Sequence, residues 1–539
     1  MHGHRGSGSA SGDGSKSAAR RQAAWTAALG GLVCMAAAGD VLCDDWRFSA
    51  SAGATETYNH YIGADQPSDG FVTSLTAALG IQGEGARLKL NGTVGGTEVI
   101  YAGQGQPDSF APAVNLVANL EAIEKFFYVD ASANISETFI SPFGPQPANL
   151  TTPTNNRYIA QTYSVSPYIK GVIAPNIAYS LRDDNVWTPS ASYGNSSAKV
   201  PTTYLNNLNG QMNSPAALWG WTLQYSGQYY DNGVSSDKYI VQVARGIVSY
   251  QLDPQLTVSG RGGYENERFA NAPTIEGSIY GFGVDWRPTD RTALDGWWEH
   301  QFFGSAYSWQ FTHRLPNISL SANFTRGLTS YPQNALLIPA GVSVEQFLDA
   351  AFTTRIPDPA QRAAAVAQFL AQTGLPPTLA SPLNFYATTI TLQQTESVSA
   401  VWVGILNTLA FTVFRSETQQ VTGQGTQALP PELQFGQNNT QTGGGVSYSH
   451  RVTGTTNLVA SAVYTTTTPS GSTVESLSNV RTKNYNTALG LSTQFTPKTS
   501  GSVGVTYFLF DTPGSSNTGS SNIPRSGTLG VYASIAHIF

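Results

Sequence analysis

The chain closes on Gly527-Thr-Leu-Gly-Val-Tyr-Ala-Ser-Ile-Ala-His-Ile-Phe539. Apolar side chains Leu529, Val531, Ala533, Ile535 and Phe539 fall on every second position. Successive side chains point to opposite sides of a strand, so the stretch reads as one strand with one apolar face. Such a face needs either the core of a sandwich or a lipid phase to cover it. The other strands decide between the two.

Upstream, the same alternation repeats. In Leu218–Tyr230, Trp219, Trp221, Leu223, Tyr225 and Tyr229 oppose Gln224, Ser226 and Gln228. Tyr280, Phe282, Val284 and Trp286 oppose Gly281, Gly283, Asp285 and Arg287. Ile318, Leu320, Ala322 and Phe324 oppose Ser319, Ser321, Asn323 and Thr325. The segment Asp237–Leu252 departs from this. Arg245 falls in register with Tyr239, Val241 and Val243, which predicts a bulge or a displaced boundary there. Short turns such as Ala174-Pro-Asn, Asp253-Pro-Gln, Pro288-Thr-Asp and Pro497-Lys-Thr suit the fixed or permissive φ of their residues. They take turns with longer loops near 188–198, 270–275, 331–383, 421–436, 469–479 and 512–525. Short connections at one end and long ones at the other mark a membrane barrel, and a sandwich has no reason to sort them.

The reading is therefore all-β: one large antiparallel transmembrane β-barrel over residues 44–539, with about 22 strands and a plausible range of roughly 18–22. A closed sheet has no free edge and satisfies its backbone groups internally, so it can stand in hydrocarbon. Gly527–Phe539 is expected to close the ring against Trp46–Tyr58, with both termini at the short-turn end.

Composition agrees. Charged residues make up 12% of the 539, about half the roughly 25% of soluble domains. No run past the amino-terminal region reaches the ~18 apolar residues of a membrane helix. The net charge of −6 offers no basic surface to nucleic acid. Residues 1–22 are Gly/Ser-rich with Arg5, Lys16, Arg20 and Arg21. The apolar run Ala23–Ala38 follows, with small residues at Ala36 and Ala38. Residues 1–43 thus read as a secretory signal peptide cut between Ala38 and Cys43. Cys34 and Cys43 are the two cysteines, so the mature chain is expected to carry no disulfide framework and no Cys metal site.

Residues 331–383 break the strand pattern and read as one long extracellular loop with two short helices. Val342–Thr354 is the first. In Asp358–Gly374, Asp358 can cap, Pro359 suits the first turn and Gly374 the stop, while Ala363, Val366, Phe369 and Leu370 form an apolar stripe. Such a loop either caps the barrel from outside or folds into its lumen.

Two resemblances follow. Val531, Ile535 and Phe539 resemble the terminal assembly signal of bacterial outer-membrane β-barrels, although His537 stands where Tyr or an apolar residue is usual. That implies export through the inner membrane, the barrel-assembly machinery as a partner and the outer-membrane bilayer as the site. Further, Phe127-Tyr-Val-Asp-Ala-Ser-Ala133 with Ser141-Pro-Phe-Gly144, Tyr163-Ser-Val-Ser-Pro-Tyr168 and Arg355-Ile-Pro-Asp-Pro-Ala-Gln-Arg362 resemble the outer-membrane proteins associated with PEP-CTERM/exosortase exopolysaccharide systems. This resemblance implies a large outer-membrane barrel linked to extracellular polysaccharide or biofilm, with polysaccharide or its export components as partners. It supplies no catalytic residue.

Seven charged residues fall on polar strand faces: Arg261, Glu265, Glu267, Asp285, Arg287, Asp295 and Glu299. They read either as a lumen belt of opposed charges that aligns a polar solute or as ion-paired packing of the barrel interior. Glu299 and His300 adjoin, but alternation sends them to opposite faces, so they form no acid–base pair. His313, His450 and His537 have no metal-ligand spacing. Asp183-Asp184 and Asp44-Asp45 read as turn and strand-end polars. Thr442-Gly-Gly-Gly-Val446 lacks the Lys of a phosphate loop. No enzyme, metal or cofactor is expected. Two functions stay open: a channel or export-linked pore for polar solute or polysaccharide, and a non-conducting barrel that anchors extracellular polymer.

Overall fold

The computed structural model describes residues 45–539 apart from 64–66, 104, 193–198, 216–217, 235–237, 270–273, 337–342, 354–355, 357, 359–360, 364, 367–368, 371–377, 388, 422–437, 471–480 and 513–524. The segment 1–43, expected to be a signal peptide, and both cysteines lie outside the described residues.

The strands are β1 (Asp45–Ile62), β2 (Gly70–Glu84), β3 (Leu88–Tyr101), β4 (Ser109–Ile123), β5 (Phe127–Phe139), β6 (Arg157–Ala174) and β7 (Ile177–Thr188). A small hairpin follows, β8 (Ala191–Ser192) and β9 (Lys199–Val200). Then come β10 (Thr203–Ser214), β11 (Trp219–Asp231), β12 (Tyr239–Asp253), β13 (Leu256–Arg268), β14 (Ile275–Thr289), β15 (Thr292–Gln301), β16 (Gly304–Arg314) and β17 (Ile318–Thr329). After the long insertion, β18 (Thr391–Val403), β19 (Asn407–Gln420), β20 (Asn439–Arg451), β21 (Thr456–Pro469), β22 (Thr482–Thr496), β23 (Thr499–Asp511) and β24 (Ser526–Ile538) complete the set.

Leaving the hairpin aside, these form one 22-stranded sheet. Each strand pairs antiparallel with its predecessor, and β1 pairs with β24 from Ser51↔Ile538 to Ile62↔Gly527. The ring is closed, so no strand carries a free edge. The strands are long enough to cross the ~25 Å apolar band of a barrel at the usual tilt. Phe48, Leu75, Leu223, Phe282, Val503, Val531 and Ile535 are exposed on the outer face. Paired rings sit near both edges of that face: Trp46–Phe48 and Trp219–Tyr250 at the short-turn end, Tyr58–Phe71 and Trp187–Tyr204 at the other. That is where amphipathic rings meet a membrane interface. Turns of two to four residues join strands at the end that carries Asp45 and Phe539. Connections at the opposite end are longer, except Phe302-Phe303 between β15 and β16.

His537 fits the outer face without loss. Its ring nitrogen meets the Thr499 hydroxyl at 2.9 Å, and its ring lies edge-on to Phe539 at 4.8 Å. The Phe539 N–H donates to the Ala50 carbonyl at 2.9 Å. Deleting Phe539 is expected to lower the folded, heat-modifiable yield in membranes several-fold while detergent-refolded protein keeps its gel mobility. Unchanged yield would leave Phe539 as strand structure alone.

One expectation needs correcting. β12 runs without a bulge through Arg245, and its register shifts only between Gln251 and Asp253. Tyr239, Val241, Val243 and Arg245 do share the inner face. The first three are buried in an apolar cluster. The alternation looked wrong because the inner face here meets protein instead of water.

Candidate functional site: the lumen and its inserted segment

The 330–390 connection leaves β17 at the long-loop end. Helix α1 (Tyr331–Ala335) begins where the Ser330 N–H donates to Gln333 Oε1 at 2.9 Å. Its five residues have no apolar period long enough to be seen in sequence. Tyr331 is buried against Tyr386, ring centroids 5.1 Å apart, and its hydroxyl meets that of Tyr158 on β6 at 2.5 Å. Burial pushes the Tyr331 hydroxyl up to about 12 and that of Tyr386 higher still.

Helix α2 (Val344–Phe352) is capped by Ser343, whose Oγ accepts the Gln346 N–H. Val344, Leu348, Val366 and Leu379 pack on Val401 and Val403 of β18 and Ala410 of β19. Val403 is the last residue of β18, at the short-turn end. The segment that starts at the long-loop end therefore reaches down the inner wall almost to the other side. Asp358 caps the next helical stretch through the Gln361 N–H at 2.8 Å, and Arg362 pairs with Asp349 of α2 at 2.6 Å. Helical residues 361–363, 365–366 and 369–370 are described; Gly374 lies outside the described residues.

The chain then climbs back along the wall. Thr378 bridges to Ser343. Ala380 lies over Gly445, where a Cβ would stand 2.8 Å from the Ala380 Cβ, so this glycine makes room for the strap. The Gln441 amide accepts the Leu383 N–H and donates to its carbonyl, at 3.1 and 2.9 Å. The Tyr230 hydroxyl donates to the Ala387 carbonyl at 3.2 Å. Ile390 joins the apolar cluster of Val186, Leu205, Tyr230, Tyr239, Val241 and Val243. The inserted segment is lumenal, not an outer cap.

A second loop, 140–156, also turns inward. The Asn484 and Asn486 side chains accept the Gln146 and Ala148 N–H groups, and Asn59 donates to the Thr151 carbonyl at 2.8 Å. The loop thus crosses the mouth from β5–β6 to β22 and β1. Ile140, Tyr158, Ala160, Val200, Tyr331, Ala335 and Tyr386 form a compact core where the loops meet. On the inner face of β2–β4, by contrast, Thr76, Asn91, Thr93, Asn115, Val117 and Asn119 are exposed. Above them, Val72, Ser74, Val99 and Ala111 are buried under the loop, so that side of the lumen is open and mostly polar below the mouth.

The seven charged residues read from the sequence all fall on inward-facing positions, in three groups. Arg261 and Glu299 belong to an ion ladder with Arg245: Arg245 Nε lies 3.0 Å from Glu299 Oε2, and Arg261 Nε 3.1 Å from Oε1. Arg261 also lies over the Trp297 ring at 4.6 Å, and the Gln301 amide donates to Glu299 at 3.0 Å. Glu299 crosses the Cβ-free position Gly281. Asp285 and Arg287 pair at 3.0 Å nearer the short turns, with Asp295 opposite Asp285. Glu265 and Glu267 sit higher, fully buried, and the Phe302 N–H donates to Glu265 at 2.6 Å. Glu299 and His300 do lie on opposite faces, the His300 ring stacking on outward Tyr280.

A second belt on β4–β7 escaped the sequence reading. Arg182 donates to Asp130 and to Asp184, both at 2.7 Å, and Asn119 donates to Asp130 at 2.8 Å. Tyr128 and Tyr168 stack at 5.0 Å beside it, with the Lys170 ammonium 4.4 Å from the Tyr128 ring. Asp183-Asp184 is not a turn: both residues lie inside β7. Asp184 faces in to Arg182, while Asp183 faces out and accepts from Asn185 and Asn206.

No protein-family model matches the sequence, and no characterised protein matches it by sequence. Solved structures with a similar backbone include the siderophore receptor PirA from Acinetobacter baumannii, at 10% identity, covering 92% of this chain and 80% of that one, TM-score 0.45. The FrpB iron transporter from Neisseria meningitidis is similar at 10% identity, 93% and 82% coverage and TM-score 0.45. OpdK from Pseudomonas aeruginosa, solved with vanillate, is similar at 9% identity, 92% and 100% coverage and TM-score 0.35. The fold rests on the strand ladder itself, not on these likenesses.

Proposed function

We propose that the chain is an outer-membrane channel for polar solutes, constricted by its own 331–383 segment. One observation carries this. The inserted segment covers the β17–β20 side of the lumen, while the β2–β4 side is covered only at its mouth end, where Val72, Ser74, Val99 and Ala111 are buried under the 140–156 loop, and stays exposed and mostly polar below it. A barrel that served only as an anchor has no need for an open polar wall beside a packed one. Paired charges on both flanks, Arg245–Glu299–Arg261 and Asp130–Arg182–Asp184, give such a passage fixed dipoles without a large net field. The finer reading is that the solute belongs to an exopolysaccharide system, as the motifs at 127–144, 163–168 and 355–362 imply.

The purified barrel in planar bilayers is expected to give discrete, small conductance steps. A barrel that stays silent both intact and without residues 331–383 would overturn the channel and leave the polymer anchor standing.

A further inference from the structure

We infer that the 140–156 loop is a hinged gate over the barrel mouth, latched to the far wall by side-chain amides, and that it opens while the inserted segment stays seated. The loop holds its own shape. The Asn156 side chain accepts the Ser141 N–H at 2.9 Å and donates to the Ser141 and Pro145 carbonyls at 3.0 and 3.1 Å. Arg157 donates to the Pro147 and Asn149 carbonyls. At the root, Ile140 packs in one core with Tyr158 and Tyr331. These contacts make the loop one piece, fixed where it joins β5 and β6.

Its far side is held differently. The Gln146 and Ala148 N–H groups donate to Asn484 and Asn486 at 3.0 and 2.9 Å, and Asn486 donates back to the Gln146 carbonyl at 3.1 Å. Asn59 donates to the Thr151 carbonyl at 2.8 Å, and the Tyr101 hydroxyl to the Leu150 carbonyl at 3.3 Å. Apart from two prolines, the buried residues of 141–156 are polar: Ser141, Gln146, Thr151, Thr152 and Asn156. The seat is also under-satisfied. Among the described residues, Asn59 Oδ1, Ser74 Oγ, Thr152 Oγ1 and Asn484 Nδ2 are buried with no hydrogen-bond partner. Unpaired buried groups raise the free energy of the closed state, and lifting the loop hands all of them to water. That gain works against the cost of exposing Val72, Val99 and Ala111 beneath the loop. The inserted segment is the opposite case. It sits through Val344, Leu348, Val366 and Leu379 on Val401, Val403 and Ala410, so lifting it exposes apolar surface on both sides. Of the two elements in the lumen, the polar-latched loop is the one built to move.

The gate rests on the channel reading only for what it passes, so its test reads access instead of conductance. Ser74→Cys or Thr76→Cys is placed in a full-length chain carrying Cys34→Ser and Cys43→Ser. Ser74 is buried under the loop, and Thr76 is exposed on the same inner face below it. The barrel, folded in lipid vesicles and checked by heat-modifiable migration, is treated with a small membrane-impermeant maleimide. The Ser74 site is expected to label far more slowly than the Thr76 site. Adding Asn486→Ala, which removes two latch bonds, is expected to speed labelling at Ser74 about tenfold and leave Thr76 unchanged. Asn59→Ala, cutting the bond to Thr151, is expected to act in the same direction, whereas Leu348→Asp in the inserted segment should leave the Ser74 rate alone. Labelling at Ser74 as fast as at Thr76 overturns the gate, because the loop would then never be seated. A Ser74 rate moved by neither Asn486→Ala nor Asn59→Ala overturns the latch. Equal acceleration by Leu348→Asp overturns the independence of the two elements. Latch-dependent labelling in a barrel that never conducts upholds the gate and removes only the channel.

Discussion

Replacing residues 331–383 with a short Gly/Ser linker is expected to raise single-channel conductance several-fold while the barrel stays folded. The two halves of that outcome have separate causes. The wall is a closed ladder in which each strand bonds to both neighbours, and β1–β24 completes it without help from the insertion. What the insertion contributes is volume inside the ring. Val344, Leu348, Val366 and Leu379 lie against Val401, Val403 and Ala410, and the strap from Thr378 to Ile390 follows the wall back to the mouth. Barrels of about 22 strands have a lumen too wide for wall side chains alone to fill. Removing the insertion opens the β17–β20 side of the lumen and leaves the 140–156 loop as the remaining obstacle at the mouth. A milder change makes the same point without deletion. Leu348 is fully buried, so Leu348→Asp places a carboxylate in an apolar seam and is expected to unseat α2. The prediction for that variant is flickering between small and large steps. Equal conductance for wild type, Leu348→Asp and the linker variant would mean that the insertion does not limit flow.

How far the sequence carried this architecture depends on which face is considered. The outer face meets one uniform solvent, lipid, so Trp219, Leu223, Tyr280, Phe282 and Val531 had to alternate with smaller or more polar residues, and strand number and closure followed. The inner face meets water at Asn91 and Asn115 but protein at Tyr239, Val241 and Val243. No single period describes it, and β12 consequently read as bulged. Those three buried apolar residues did signal that something enters the lumen, but nothing local could say that Ile390 covers them. The β4–β7 belt was hidden for another reason. Asp130 and Arg182 stand 52 residues apart, and only the β5–β6–β7 register brings them together. Arg261 and Glu299 were legible as inward charges because alternation alone places them. Their third member, Arg245, was set aside with the supposed bulge.

Glu299→Ala is expected to be the most destabilising single change in the lumen wall, costing about 3–5 kcal/mol, as for other buried ion pairs that lose one member. Glu299 is 0% exposed and serves both arginines, Arg245 at Oε2 and Arg261 at Oε1. Without it two guanidinium groups remain side by side in a poorly hydrated wall, and the Gln301 amide loses its acceptor. Glu299→Gln keeps the volume and an oxygen for Gln301 but not the charge, so it should fall between Ala and wild type. The decisive comparison is the triple variant Arg245→Met, Glu299→Met, Arg261→Met. If the cost of Glu299→Ala comes from stranded charge, removing all three charges should recover most of it, because matched apolar groups often replace a buried ionic cluster with little loss. If the cost comes instead from the space over Gly281, where a Cβ would stand 2.9 Å from Glu299 Cγ, the bulky triple variant should also recover, but Glu299→Gln should then match wild type. Urea unfolding in lipid vesicles separates the cases. Full stability of Glu299→Ala would show that water reaches both arginines and that the ladder contributes only to the lumen field.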